Sequence, residues 1–178
     1  MTTPAANTLV ITPDQLLEDW QGHRRLTRRV IDAFPEDALY NFSVGGMRPF
    51  STLAMEMINM AGPILRGEIS GKWVSSELVL PAAKADLLKL WDDTTAEIDK
   101  RWPDIPPHRF QEVDTAFGQW KMPGYAMFLY AIDNEIHHRG QGYVYLRSLG
   151  IEPPSCTSHL LDAPQTRPQS AARPTGYT

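Results

Sequence analysis

The stretch from Pro123 to Leu149 constrains this chain more than any other. It has no internal proline, keeps apolar side chains at helical spacing, and is followed by Gly150 as a C-terminal cap. Tyr125, Phe128, Leu129, Ile132, Ile136, Tyr143 and Leu146 form one broad apolar face. A second stripe carries Met127, Asn134, His138, Gln141 and Tyr145. A long helix with two usable faces is packed on more than one side.

Three further helices are expected before it. Thr12-Pro13-Asp14-Gln15 reads as a helix start, with Thr12 as cap, Pro13 in the first turn and Gln15 completing a capping box. Leu16, Leu17, Trp20, Leu26, Val30, Ile31 and Phe34 keep the helical period up to Pro35. Residues 35–47 read as a connector. The second helix starts at Pro49 and carries Phe50, Leu53, Ala54, Met57, Ile58, Ala61, Ile64 and Leu65 on one stripe. Pro63 removes a backbone donor and predicts a kink or an early end. Residues 68–80 have no clear period. Pro81 opens the third helix, which runs to about Lys100 with Leu87, Leu88, Leu90, Trp91 and Ile98 toward the core. Residues 102–119 form a Pro-rich connector, long enough to be functional or to lie over the core.

No strand pattern of comparable length and no internal repeat is visible. The expected fold is all-α, a four-helix bundle with long connections. The domain is expected over residues 12–154, after a loose lead-in at 1–11. Residues 155–178 read as a disordered tail rich in Pro, Ser and Thr, and five of the 15 prolines fall in the last 28 residues. At 178 residues one domain suffices, and the single Cys156 excludes an intrachain disulfide or a Cys-rich zinc module. A formal charge of −4 offers no overall attraction to nucleic acid or to anionic membranes. With no signal segment and no apolar run of ~18 residues, a cytoplasmic protein is expected.

The residues richest in chemistry are Asp133-Asn134-Glu135-Ile136-His137-His138-Arg139-Gly140-Gln141. Asn134 and His138 are four apart and share a helix face, whereas His137 points about 100° away from His138. Two donors at that spacing can grip one metal ion; the alternative is a hydrogen-bonded, partly buried histidine. Glu135 and Arg139 also stand four apart and read as a surface ion pair, unless Arg139 meets a carboxylate from another helix.

This stretch, followed by Gly142-Tyr143-Val144-Tyr145-Leu146-Arg147 and Gly150-Ile151-Glu152-Pro153-Pro154, resembles the DinB/YfiT-like superfamily. That is the damage-inducible helical family, not the DNA polymerase sharing the name. Gly46-Met47-Arg48-Pro49-Phe50 fits one branch of it, and the resemblance covers about residues 12–154. It implies a four-helix bundle that often dimerises and holds a divalent metal through three side chains, one from the second helix and two from the last. Carried over, those positions are Glu56, Asn134 and His138, where His at 56 and His or Glu at 134 would be usual. It also implies relatives that are metal-dependent isomerases or transferases using a low-molecular-weight thiol.

Glu56, Asn134 and His138 offer a carboxylate, an amide oxygen and an imidazole. Zinc favours Cys, His and Asp or Glu, while an oxygen-rich set suits Mn²⁺ or Mg²⁺; Mn, Ni, Zn and Mg are the candidate ions. The alternative is that Glu56 pairs with His138 or Arg139 inside the bundle. Cys156, in the expected tail, reads as a solvated thiol rather than a nucleophile.

Other features have plainer readings. Arg24, Arg25, Arg28 and Arg29 could contact phosphate or form a solvated face, with Arg28 near Asp32. Trp73, Trp91, Trp102, Trp120, Tyr125 and Tyr130 line the core or a pocket mouth. Met55, Met57 and Met60 are core or an adaptable wall beside Glu56. Asp92, Asp93 and Asp99 face water, and His108 and His159 are exposed. Two functions compete. One is a metal-dependent thiol S-transferase or hydrolase acting on a small electrophile, as a homodimer. The other is a non-catalytic, stress-associated bundle that binds a ligand or partner and has lost the metal.

Overall fold

The structure, a computed structural model, describes residues 10–157. Most of the expected lead-in, most of the expected tail and His159 lie outside the described residues. The chain is mostly helical. Helix α1 spans Pro13–Ala33, α2 Glu36–Asn41, α3 Phe50–Ser70, α4 Lys84–Arg101 and α5 Gly124–Ser148. A two-stranded antiparallel sheet, β1 (Val113–Ala116) with β2 (Trp120–Pro123), precedes α5. Helices α1 and α3 each pack on both α4 and α5. Among the described residues no helix is long and apolar enough to cross a membrane.

The capping box is present: the Thr12 hydroxyl accepts from the Gln15 N–H and the Gln15 side chain accepts from the Thr12 N–H. Several expectations need correction. Helix α3 runs through Pro63 to Ser70 without an early end. Residues 35–47 contain α2. The connector at 102–119 is structured, with short 3₁₀ turns at Trp102–Asp104 and Pro107–Phe110 and then the hairpin. Four-residue strands are too short to show a period. Their turn is carried by Phe117 and Gly118, both at positive φ.

The outer side of α5 also differs from the sequence reading. Tyr125, Leu129 and Ile136 are exposed, although the pattern placed them on the main apolar face. The buried face instead runs through Met127, Phe128, Ala131 and Ile132 to Glu135, His138, Arg139, Tyr145 and Leu146.

The apolar core has two parts. One gathers Trp20, Ile64, Trp102, Phe110 and Phe128 near the hairpin. The other gathers Ile31, Phe34, Phe50, Trp91 and Tyr145 at the opposite end. Gly142 lets α5 approach closely enough that a Cβ there would lie 2.5 Å from the Phe50 ring.

Between the two parts lies a buried polar layer. Arg24 is fully buried, so the basic stretch of α1 is not a uniform solvated face. Its Nη1 stands 3.8 Å from Glu135 Oε2, its Nε donates to Thr95 Oγ1 at 2.7 Å, and its guanidinium stacks 4.0 Å over Trp91. Arg139 donates to Thr27 Oγ1 and to the His23 carbonyl. Glu135 and Arg139 are thus committed to α1 rather than forming a surface pair. Burial pushes the Glu135 carboxyl up and the Arg24 guanidinium down, and each partner opposes the other's shift. Arg28 pairs with Asp92 at 2.7 Å instead of Asp32, and Asp93 pairs with Lys89; both aspartates and Asp99 are exposed as expected.

Removing one member of the Arg24–Glu135 pair leaves a charge buried without its partner. Arg24→Met should cost about 3 kcal/mol or more of unfolding free energy in urea titrations. Adding Glu135→Leu to it should recover much of that loss, because the orphaned carboxylate is gone.

Candidate binding site between α3 and α5

Consecutive residues of α5 face different helices. Glu135 and Arg139 turn toward α1, so Asn134 and His138, one position earlier, turn about 100° toward α3. There they meet Glu56. His138 Nε2 lies 2.9 Å from Glu56 Oε1, and Asn134 Nδ2 donates to the same oxygen at 3.3 Å. The sequence-derived trio Glu56, Asn134 and His138 therefore converges.

A fourth residue joins it. Arg48 Nη2 approaches Glu56 Oε2 to 2.6 Å. Sequence reasoning noted Arg48 only as part of a motif before α3. It precedes the helix, so no helical spacing connects it to Glu56. Its backbone is held by Tyr145, whose hydroxyl donates to the Arg48 carbonyl at 3.2 Å. Met55 and Met57 belong to the core as expected, and Met55 and Met60 also line the pocket beside Glu56.

His138 is buried, and its Nδ1 lies 3.0 Å from Gln141 Oε1. With the amide in this orientation, both ring N–H groups donate to oxygen. Turning the amide over would let Gln141 donate to Nδ1, and Nε2 would still donate to Glu56. Either way the ring donates a hydrogen bond to the carboxylate. Burial alone would raise the Glu56 carboxyl. The hydrogen bonds from His138, Arg48 and Asn134 outweigh it and hold the group at about 2.

These donors do not fit the divalent metal that the family resemblance implies. Among the described residues no three His, Cys, Asp or Glu side chains gather to hold an ion. Both oxygens of the one carboxylate are already engaged, one of them by a guanidinium whose positive charge a cation would have to displace. Asn134 contributes its Nδ2 to Glu56, while its Oδ1 is buried without a hydrogen-bond partner.

Beside this network opens a pocket of about 610 Å³. Arg48 and Glu56 form one wall, and Met60, Ile64, Met122 and Met127 supply apolar surface. The hairpin adds Phe117 and Trp120, and the strap after α3 adds Ser75, Ser76 and Glu77. The strap is tied down by Asn59, which accepts from the Leu78 N–H at 3.0 Å and donates back to its carbonyl. The hairpin is tied down by Arg109, which bonds Asp114 at 2.9 Å and stands 3.5 Å from buried Glu68. Burial pushes the Glu68 carboxyl up to about 7 despite Arg109. Trp120 and Tyr130 stand at the pocket, whereas Trp91 and Trp102 are core. Cys156 and His108 are exposed.

A family model described as DinB family matches residues 1–170. Two solved structures share the fold. A DinB-like protein from Bacillus cereus is 18% identical with a TM-score of 0.62, the match covering 80% of this chain and 95% of that one. A DinB-like protein from Bacillus subtilis is 18% identical with a TM-score of 0.61, covering 79% of this chain and 96% of that one. No curated protein matches this chain significantly.

Because the Glu56 carboxyl is depressed, its ionised form adds stability above its ordinary value of 4.5. That contribution is lost as pH falls toward about 2. Glu56→Gln should therefore flatten the fall of Tm with acidification across that window, measured by circular dichroism melts at several pH values.

Proposed function

The chain belongs to the DinB family, and from that premise we propose that it is a small-molecule-binding helical bundle that works without a resident divalent metal. A four-helix arrangement of DinB type, made by α1, α3, α4 and α5, is part of this reading. The carrying observation is the Glu56 carboxylate, whose two oxygens are taken by Arg48, His138 and Asn134. The half-exposed Arg48 guanidinium supplies there the positive charge that a metal would otherwise bring. The ligand then occupies the adjoining pocket, with the Arg48–Glu56 pair as its polar wall.

The metal-dependent thiol transferase or hydrolase is the second reading. It is favoured by the convergence of Glu56, Asn134 and His138 and by the partnerless Asn134 Oδ1, an acceptor available to a cation. Metal retention separates the two. After incubation with Mn²⁺, Ni²⁺, Zn²⁺ or Mg²⁺ and gel filtration, elemental analysis should find less than stoichiometric metal, and a generic electrophile should not consume a low-molecular-weight thiol. One equivalent of metal that disappears in Glu56→Ala and His138→Ala would replace the first reading with the second.

The outer face of α5 supports a homodimer as part of this reading. Tyr125, Leu129, Ile136 and Val144 are each at least 40% exposed, an apolar stripe with no cover inside the protomer. Gly140 lies on the same stripe, and a Cβ there would meet nothing within 4 Å. An exposed glycine inside a helix costs about 1 kcal/mol relative to alanine, and a second helix crossing closely gives it a purpose. An antiparallel pairing of two α5 helices centred on Gly140 sets Ile136 opposite Val144 of the second copy. The same register sets Asp133 opposite Arg147 of the second copy, so the charges are complementary as well. Sedimentation should give a dimer at micromolar concentration, and Ile136→Glu should convert it to a monomer with an unchanged helical spectrum.

A further inference from the structure

We propose that the pocket between α3, α5 and the hairpin selects an organic cation with an aromatic or apolar body, a ligand class that rests on the small-molecule reading above. Its charged wall residues are Arg48, Glu56 and Glu77. Arg48 and Glu56 neutralise each other at 2.6 Å. Glu77 has no ion pair among the described residues, so the pocket carries one uncompensated negative charge. An anionic ligand meets no spare cation on these walls, because the only wall arginine is already engaged.

The neutral surface points the same way. Trp120 and Tyr130 are 46% and 47% exposed, and both line the pocket beside Phe117. Aromatic faces near a carboxylate attract an ammonium group through the ring quadrupole and the charge together. Phe117 is held on the pocket wall by a left-handed backbone, φ 52°, with its ring packed between Trp73 and Trp120. The walls of Met60, Met122 and Met127 offer an unbranched, polarisable surface that accommodates an apolar body of varied shape. The cationic head sits toward Glu77 and the rings, and the body lies along the methionines.

Matched probes test the charge rule. The full-length protein, labelled at methionine methyl groups, is titrated with phenethylamine, 2-phenylethanol and 3-phenylpropanoate, which share one aromatic body. The amine should shift the Met60, Met122 and Met127 signals and bind about tenfold more tightly than the alcohol, with the acid weakest. Glu77→Gln, a change on an exposed strap, should bring the amine close to the alcohol. Equal binding of all three in the pocket, preference for the acid, or an amine preference unchanged in Glu77→Gln would overturn the ligand class and leave the pocket reading standing. Failure of every probe to move the pocket methionines would overturn both.

Discussion

The fully buried Arg24, facing Glu135 from α1 to α5, sets the rotation of the longest helix. Two charges in the interior demand each other, since either alone costs several kcal/mol after desolvation. Arg139 reinforces the demand one turn later by bonding Thr27 and the His23 carbonyl. With Glu135 and Arg139 fixed on α1, α5 has no freedom to turn, and Asn134 and His138 are delivered to α3. The polar layer therefore does two things at once. It separates the two apolar clusters and fixes register between helices, and it aims the imidazole that meets Glu56.

The same constraint explains why the site is rigid on one side and open on the other. On the helix side, Glu56 is held by donors from α5 and from the segment before α3, and Gln141 orients the His138 ring. On the other side, the pocket is closed by the strap and the hairpin, which belong to no long helix. These are anchored through a few polar ties, Asn59 to Leu78 and Arg109 to Asp114 and Glu68. The pocket wall thus draws Glu56, Met60, Ile64 and Met127 from the long helices, and Arg48, Glu77, Phe117 and Trp120 from the segments that connect them.

The long helices were legible in the sequence because their signals are local. Thr12 and Gln15 lie three residues apart, and Pro35 and Gly150 mark ends without reference to distant residues. The pairing of positions 134 and 138 was legible for the same reason. Arg24 was not, because its burial depends on Glu135, far away in sequence, and an arginine beside other arginines looks the same whether solvated or sequestered. Arg48 was missed as a site residue because it reaches Glu56 from outside the helix. The hairpin was missed because each strand is shorter than any reliable period. Helix α5 misled in a more instructive way: the pattern found two faces but could not say which one the core covers. The face containing Glu135 and Arg139 is buried, polar as it is, because α1 carries its partners.

That outcome bears on the metal-free reading proposed above, in which positions 56 and 134 carry other chemistry on the same fold. Here the rotation of α5 is set from its α1 side by the Arg24–Glu135 pair, independent of what stands at 56 and 134. The positions facing α3 are thus free to change chemistry while the backbone stays. The carboxylate at 56 accepts from the Asn134 amide and the His138 ring, and its negative charge calls for a cation beside it. Arg48 brings one at 2.6 Å, and the His138 ring adds a proton donor. The four residues make sense together, as a charge-balanced polar wall, and none of them does alone.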